Sequence, residues 1–240
     1  MHGVISPASE PLDRFLVRRQ RLSWAAAHDL VHRNRVQVDG VTVRQYRRPL
    51  LPETVVAVDG AVVENGPDDS VLICHKPLGV ACSHDPDDAP LIYDLVPEAL
   101  RHPELQTVGR LDRNTTGFLL LSTEGAVIQR LTNPRSKLPK RYRVGYVGEL
   151  ESNAAERVAA GLVLSDTGEP CLPAELTLDG VGRCSLVLTE GKFHQVKRMI
   201  HTLGARVETL HRDRLGEWDL PVDLAVGAMR PFAPLVRALG

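Results

Sequence analysis

This 240-residue sequence has no excess of positive charge: 29 Lys and Arg face 30 Asp and Glu, a formal net charge of −1. Domains that hold polyanions usually carry a clear basic surplus, so the total by itself argues against a nucleic-acid partner. Cysteine is scarce and scattered. Cys74, Cys82, Cys171 and Cys184 form no C-x-x-C pair, which gives no reason to expect a zinc site or a redox dithiol. The nine histidines are scattered and form no H-E-x-x-H pattern, so no metal is expected. No G-x-x-x-x-G-K-[ST] or G-x-G-x-x-G loop is present, so no nucleotide cofactor is expected. No apolar run approaches the roughly 20 residues of a membrane-spanning helix. The opening MHGVISPASEP has no apolar h-region, so no secretory signal is read and a cytoplasmic location is expected. What is present, 43% hydrophobic and 25% charged residues, suits a folded chain with a real core. Any chemistry must come from its own side chains.

Resolved by segment, the charge is far from neutral. Residues 11–50 hold nine Arg against three Asp, a local +6, which leaves 20 basic and 27 acidic residues elsewhere. Residues 130–143 hold six basic side chains and no acid, while residues 67–100 hold seven acids and one Lys. One such cluster reads as a solvated face. Two of them, in segments that also carry motifs, point to a polyanion.

Leu12, Phe15, Leu16 and Leu22 have roughly helical spacing, and Ser23 can cap a second helix carrying Trp24, Ala27, Leu30 and Val31. Val36 and Val38, then Val41 and Val43, alternate around Asp39-Gly40, a hairpin signal. This stretch resembles the S4 RNA-binding domain, in which a helix pair precedes a short sheet. The resemblance implies that Arg14, Arg18, Arg19, Arg33 and Arg35 face RNA; read without it, these arginines solubilise the helices. The Gly-, Pro- and Asp-rich residues 61–70 read as a linker. The expected division is therefore 1–60, linker 61–70, and a second domain over 71–240.

TVGRLDRNTTGFLLLSTEG, residues 107–125, reads as strand, tight polar turn, strand. Arg110 and Asp112 lie two apart, on one side of an extended segment, and from spacing alone they read as a surface ion pair. GRLDRNTTG resembles the G-R-L-D-x-x-T-x-G motif of the ribosomal small subunit pseudouridine synthase A family. KPLGVACSHDP (76–86), KRYRV (140–144), EGKFHQVKRM (190–199) and LHRDRLG (210–216) resemble further blocks of that family, in order.

The resemblance implies an isomerase that detaches uracil from C1′ of its ribose, turns it and rejoins it through C5, with no cofactor. It assigns catalysis to Asp112, beside the sugar, with Tyr142 against the base and Lys197 paired with the aspartate. Read from spacing alone, Lys197 lies on the exposed side of a helix whose core face is Val196, Ile200 and Leu203, and Tyr142 is a strand residue in the core. If the Asp112–Lys197 pair is buried, Lys197→Met removes about 3–5 kcal/mol of stability. Arg110 is expected to take the place of the flipped base or hold a flanking phosphate, with Lys140, Arg141, Arg143 and Arg198 supplying further RNA contacts.

The fold class expected is α+β: a small S4-like RNA-binding domain, then a pseudouridine synthase core with a bisected mixed or antiparallel sheet. Helices are expected over 152–161, capped by Ser152, and over 193–203, with a hairpin around Asp179-Gly180 and a tail helix at the end. The expected partner is ribosomal RNA, 16S first and 23S second, free or in a pre-ribosomal particle; no membrane is involved and a monomer is expected. A non-catalytic RNA-binding or ribosome-assembly protein is a further reading. A glycoside hydrolase ranks last, because no second carboxylate stands near a motif.

Overall fold

The computed structural model describes residues 10–64 and 70–232. Strand β1 (Glu10–Pro11) leads into α1 (Leu12–Gln20) and α2 (Trp24–His32). Ser23 caps α2 as expected, its side chain accepting from the Ala26 N–H at 3.2 Å. Strands β2 (Val36–Val38) and β3 (Val41–Thr42) form the expected hairpin, with Asp39 and Gly40 both at positive φ, as a two-residue turn of this twist requires. After β4 (Pro49–Leu50), which pairs with β1, come β5 (Val56–Val58) and β6 (Ala61–Val62), and the order β3-β2-β5-β6 makes a small antiparallel sheet. Leu12, Leu16, Val31, Val36 and Val56 close a core of their own beneath the two helices.

The larger sheet is built from β7 (Val71–Lys76), β8 (Gln106–Val108), β9 (Thr116–Ser122), β10 (Lys140–Gly148), β11 (Glu175–Leu178), β12 (Arg183–Leu188), β13 (Ala205–Leu215), β14 (Trp218–Asp219) and β15 (Met229–Pro231). Its order is β11-β12-β10-β13-β9-β7-β15, with β14 on β13 and β8 on β9. Every neighbouring pair is antiparallel except β13 with β9, which run parallel and meet only at His211–Thr116 and Arg212–Gly117. That short seam divides the sheet into two halves. Gly117 permits it: a Cβ there would lie 2.2 Å from the Arg212 carbonyl oxygen, and its φ of +108° is open to glycine alone.

Helices α3 (Gly125–Thr132), α4 (Ala154–Ala160) and α5 (Gln195–Thr202) cover the sheet. Val158 and the α5 face Val196, Met199 and Ile200 pack on one half, and Phe118, Leu120, Val127 and Leu131 fill part of the other. The hairpin around Asp179-Gly180 is present as β11 and β12. Ser152 is not the cap of α4. The helix begins after Asn153, because a turn already directs the Ala154 N–H to the Glu151 carbonyl at 3.0 Å. The middle of the linker and most of the tail helix lie outside the described residues. No described helix is long and apolar enough to cross a membrane.

Candidate active site

Strands β8 and β9 pair antiparallel, but a loop over 109–115 joins them in place of the tight turn read from the sequence, so Arg110 and Asp112 lie on that loop and not on a strand, and the loop opens onto the seam. Its anchor is Lys76 at the end of β7. This side chain is fully buried, and its ammonium donates to the carbonyls of Thr115 (2.9 Å) and Pro77 (3.0 Å), with Arg113 at 3.4 Å. Burial pulls its pKa below the ordinary lysine value. A charge inside the protein is tolerated there because carbonyl dipoles replace water.

Asp112 projects from this loop toward α5. Lys197 Nζ donates to Asp112 Oδ2 at 2.7 Å and to Asn114 Oδ1 at 2.5 Å, and His194 Nε2 stands 3.6 Å from Asp112 Oδ1. His194 has φ +50° just before α5, and the three-residue offset from His194 to Lys197 brings both to one side of the helix start. The Asp112 and Lys197 side chains remain 31% and 22% exposed. The pair is therefore not buried, and the loss of 3–5 kcal/mol expected for a buried pair is corrected downward, since water shares in solvating both charges.

A cavity of about 260 Å³ lies in front of Asp112, lined by Arg110, Asp112, Lys140, Tyr142, Glu190 and Arg212 among others. Tyr142 and Arg212 are direct neighbours across β10 and β13, and Lys140 sits two residues along β10 on the same side. Lys140 is half-buried, with Nζ on the Leu138 carbonyl at 2.9 Å. Burial lowers its pKa, and the nearby charge of Arg212 adds to that. Lys197 does not line this cavity; it holds Asp112 from behind. The structure thus gathers Asp112, Tyr142, Arg110 and Lys140 at one opening, with Lys197 one contact away.

The other predicted RNA contacts are placed differently. Arg141 donates to Asp213 through two nitrogens, at 2.8 and 3.0 Å, and Arg143 reaches the same carboxylate at 2.8 Å. Burial would raise the Asp213 carboxyl, but its bonds to the two arginines outweigh that and hold it below the usual range. Arg198 clasps Asp166 at 2.7 and 3.0 Å. In the amino-terminal unit, Arg14 bridges to Glu124 of the larger unit at 2.7 Å, Arg18 pairs with Glu10 at 2.5 Å, Arg33 with Asp29 at 2.9 Å, and Arg35 with Asp59. Arg19 is half-buried on α1.

Sequence reasoning missed Lys76, Asn114, His194 and Glu190 as parts of this arrangement, and it read Arg212 as a phosphate contact, whereas the side chain is buried and lines the cavity. Lys76 was signalled only as a charge ending an apolar strand before Pro77. Glu190 corrects the expectation that no second carboxylate stands near a motif. It lines the cavity, but its Oε1 is committed to the Leu172 N–H at 2.9 Å and the Gln195 amide at 2.5 Å. Among the described residues no group of three His, Cys, Asp or Glu could hold a metal.

A mixed sheet split at one parallel seam, with a loop aspartate and a strand tyrosine lining one cavity, is the arrangement expected from the resemblance to RNA-modifying enzymes. The family model described as RNA pseudouridylate synthase matches residues 70–202, and the chain belongs to that family. It is a pseudouridine synthase. The chain is 36% identical over 221 residues to the ribosomal small subunit pseudouridine synthase A of Escherichia coli (strain K12), covering 92% of this chain and 95% of that protein. The protein of the same name from Pseudomonas aeruginosa is 37% identical over 222 residues, covering 92% and 96%. A solved structure described as a pseudouridylate synthase superimposes with a TM-score of 0.66 at 30% identity, covering 96% of this chain and 99% of that one.

Proposed function

We propose that this enzyme converts a uridine of 16S ribosomal RNA to pseudouridine, with Asp112 acting at C1′ of the ribose, Tyr142 against the uracil and Lys197 holding the Asp112 carboxylate in place. The observation that carries the roles is the meeting of Asp112 and Tyr142 at one cavity with the Lys197 ammonium 2.7 Å behind the carboxylate. The names of the relatives favour the small subunit as substrate. Residues 1–60 form an S4-like RNA-binding unit in this reading, residues 61–70 a linker and 71–240 the catalytic domain. The enzyme works as a monomer in the cytoplasm and needs no cofactor.

The chemistry requires a base taken out of its stack, at a cost of a few kcal/mol recovered in contacts to the extruded nucleotide and its neighbours. Arg110, at the rim of the cavity, occupies the vacated place or holds a flanking phosphate. Asp112 is unprotonated when it acts, as nucleophile or as the base that draws a proton from the sugar.

The test is release of tritium from uridine C5 in 16S and 23S transcripts. The wild type releases it from 16S, and Asp112→Asn does not. Release from 23S alone overturns the choice of substrate; equal release by Asp112→Asn overturns its role. Appearance of free uracil would instead mark a hydrolase.

A further inference from the structure

The floor of the cavity carries a charge the reaction scheme above does not use. Arg212 is 3% exposed, lines the cavity, and sits beside Tyr142 across the β10–β13 ladder. Its Nε donates to the Phe118 carbonyl at 2.9 Å, which fixes the guanidinium. Its Nη2 is shut off from solvent without a hydrogen-bond partner. No carboxylate pairs with it among the described residues, and another cation, Lys140, lines the same cavity. A buried guanidinium nitrogen left unpaired is costly and rare, and the two carboxylates that line the same cavity are engaged elsewhere, Asp112 by Lys197 and Glu190 by the Leu172 N–H and the Gln195 amide. Arg212 and Lys140 both line the cavity, so a partner that arrives with the substrate can meet their charge. A phosphate is the wrong partner for the floor, because the backbone stays at the mouth when a base is flipped inward. What reaches the floor is the base.

We propose that Arg212, seconded by Lys140, is an anion-stabilising subsite for a carbonyl oxygen of the uracil. When the N1–C1′ bond breaks, its electron pair leaves with the base. The uracil becomes an anion whose charge is shared between N1 and the carbonyl oxygens. C5 then bonds to C1′, the proton from C5 passes to solvent and N1 takes up a proton, so the overall change is an isomerisation. A donor fixed in advance beside an oxygen that gains charge only as the bond breaks lowers the barrier without tightening ground-state binding. The inference rests on the cavity being the uracil site, as read in the preceding subsection.

The test is single-turnover conversion of transcripts carrying uridine or 5-fluorouridine, followed as loss of the substrate nucleoside after nuclease digestion, with RNA affinity measured separately. Fluorine stabilises the departing anion, so a variant lacking the subsite is less handicapped on that substrate. Arg212→Gln is expected to slow uridine conversion about 100-fold, to slow 5-fluorouridine conversion less, and to leave RNA affinity within about twofold of the wild type. Arg212→Lys recovers part of the rate. Equal slowing on both substrates, or weaker RNA binding with an unchanged rate, overturns the proposal. If Arg212→Gln does not fold, Lys140→Gln is expected to show the same dependence on the leaving group to a smaller extent, and an unchanged rate there also overturns it. A wild type that converts only 23S transcripts corrects the substrate; the comparison is then run on 23S.

Discussion

The ammonium of Lys197, in the first turn of α5, lies 2.7 Å from the Asp112 carboxylate, 85 residues earlier in the chain. The two side chains stay 22% and 31% exposed, so the contact contributes little to stability and much to the direction in which the carboxylate points. Lys197→Met is therefore expected to cost no more than about 1 kcal/mol in unfolding free energy, while tritium release falls by at least about tenfold, with most of the loss in kcat. Lys197→Arg recovers part of it. Denaturant melts and steady-state kinetics on the same preparations separate the two effects. A stability loss of several kcal/mol would mean that the pair behaves as a buried one.

Lys76 presents the opposite case, being fully buried and bound only to carbonyls. Lys76→Met leaves those oxygens without a donor and is expected to cost about 2–3 kcal/mol. The loop that carries Asp112 loosens with it, so kcat falls as well. Because burial lowers the lysine pKa on folding, the unfolded chain binds the extra proton. Stability of the wild type relative to Lys76→Met therefore rises as the pH climbs toward the ordinary lysine value of 10.5. Urea midpoints at neutral and alkaline pH check both statements.

His211 stands at the seam, with Nδ1 2.8 Å from the Thr116 hydroxyl and its ring 5.5 Å from that of His75. Burial pushes its pKa below 6.5, and the charge on His75 adds to this against a smaller pull from Asp213. A base whose pKa falls on folding gives its full stability above the unfolded value. That stability is lost as the pH drops from 6.5 toward the folded value. The melting temperature should fall on acidification below 6.5, and His211→Gln should flatten that slope.

The paired arginines bear on RNA affinity. Arg110 is exposed and has no ion pair among the described residues, whereas Arg35 is held by Asp59. Arg110→Ala is expected to weaken RNA binding and to reduce the salt dependence of the binding constant by about one counterion. Arg35→Ala leaves both nearly unchanged. Filter binding at several salt concentrations measures the slopes; equal effects would show that the pairing with Asp59 opens on contact with RNA.

The residue pattern by itself determined most of the local structure. Asp39-Gly40 dictated a two-residue hairpin because its twist needs two residues that accept positive φ, and Ser23 dictated a helix start because a hydroxyl satisfies an otherwise unpaired N–H. The ordered motifs from GRLDRNTTG to LHRDRLG determined the family, since short-range chemistry is written contiguously. The near-zero net charge was also legible as a cancellation between segments. What the pattern could not carry was which charge meets which. Asp213 gathers Arg141 and Arg143, and Asp166 takes Arg198, because strand register and helix packing bring together residues far apart in the chain. For the same reason only the tertiary structure decided that Lys197 faces Asp112 across solvent-accessible space instead of from a buried pocket. It alone decided, too, that Arg212 is a buried group at the cavity floor, because its burial comes from Gly117 letting two strands touch at a seam of two residues.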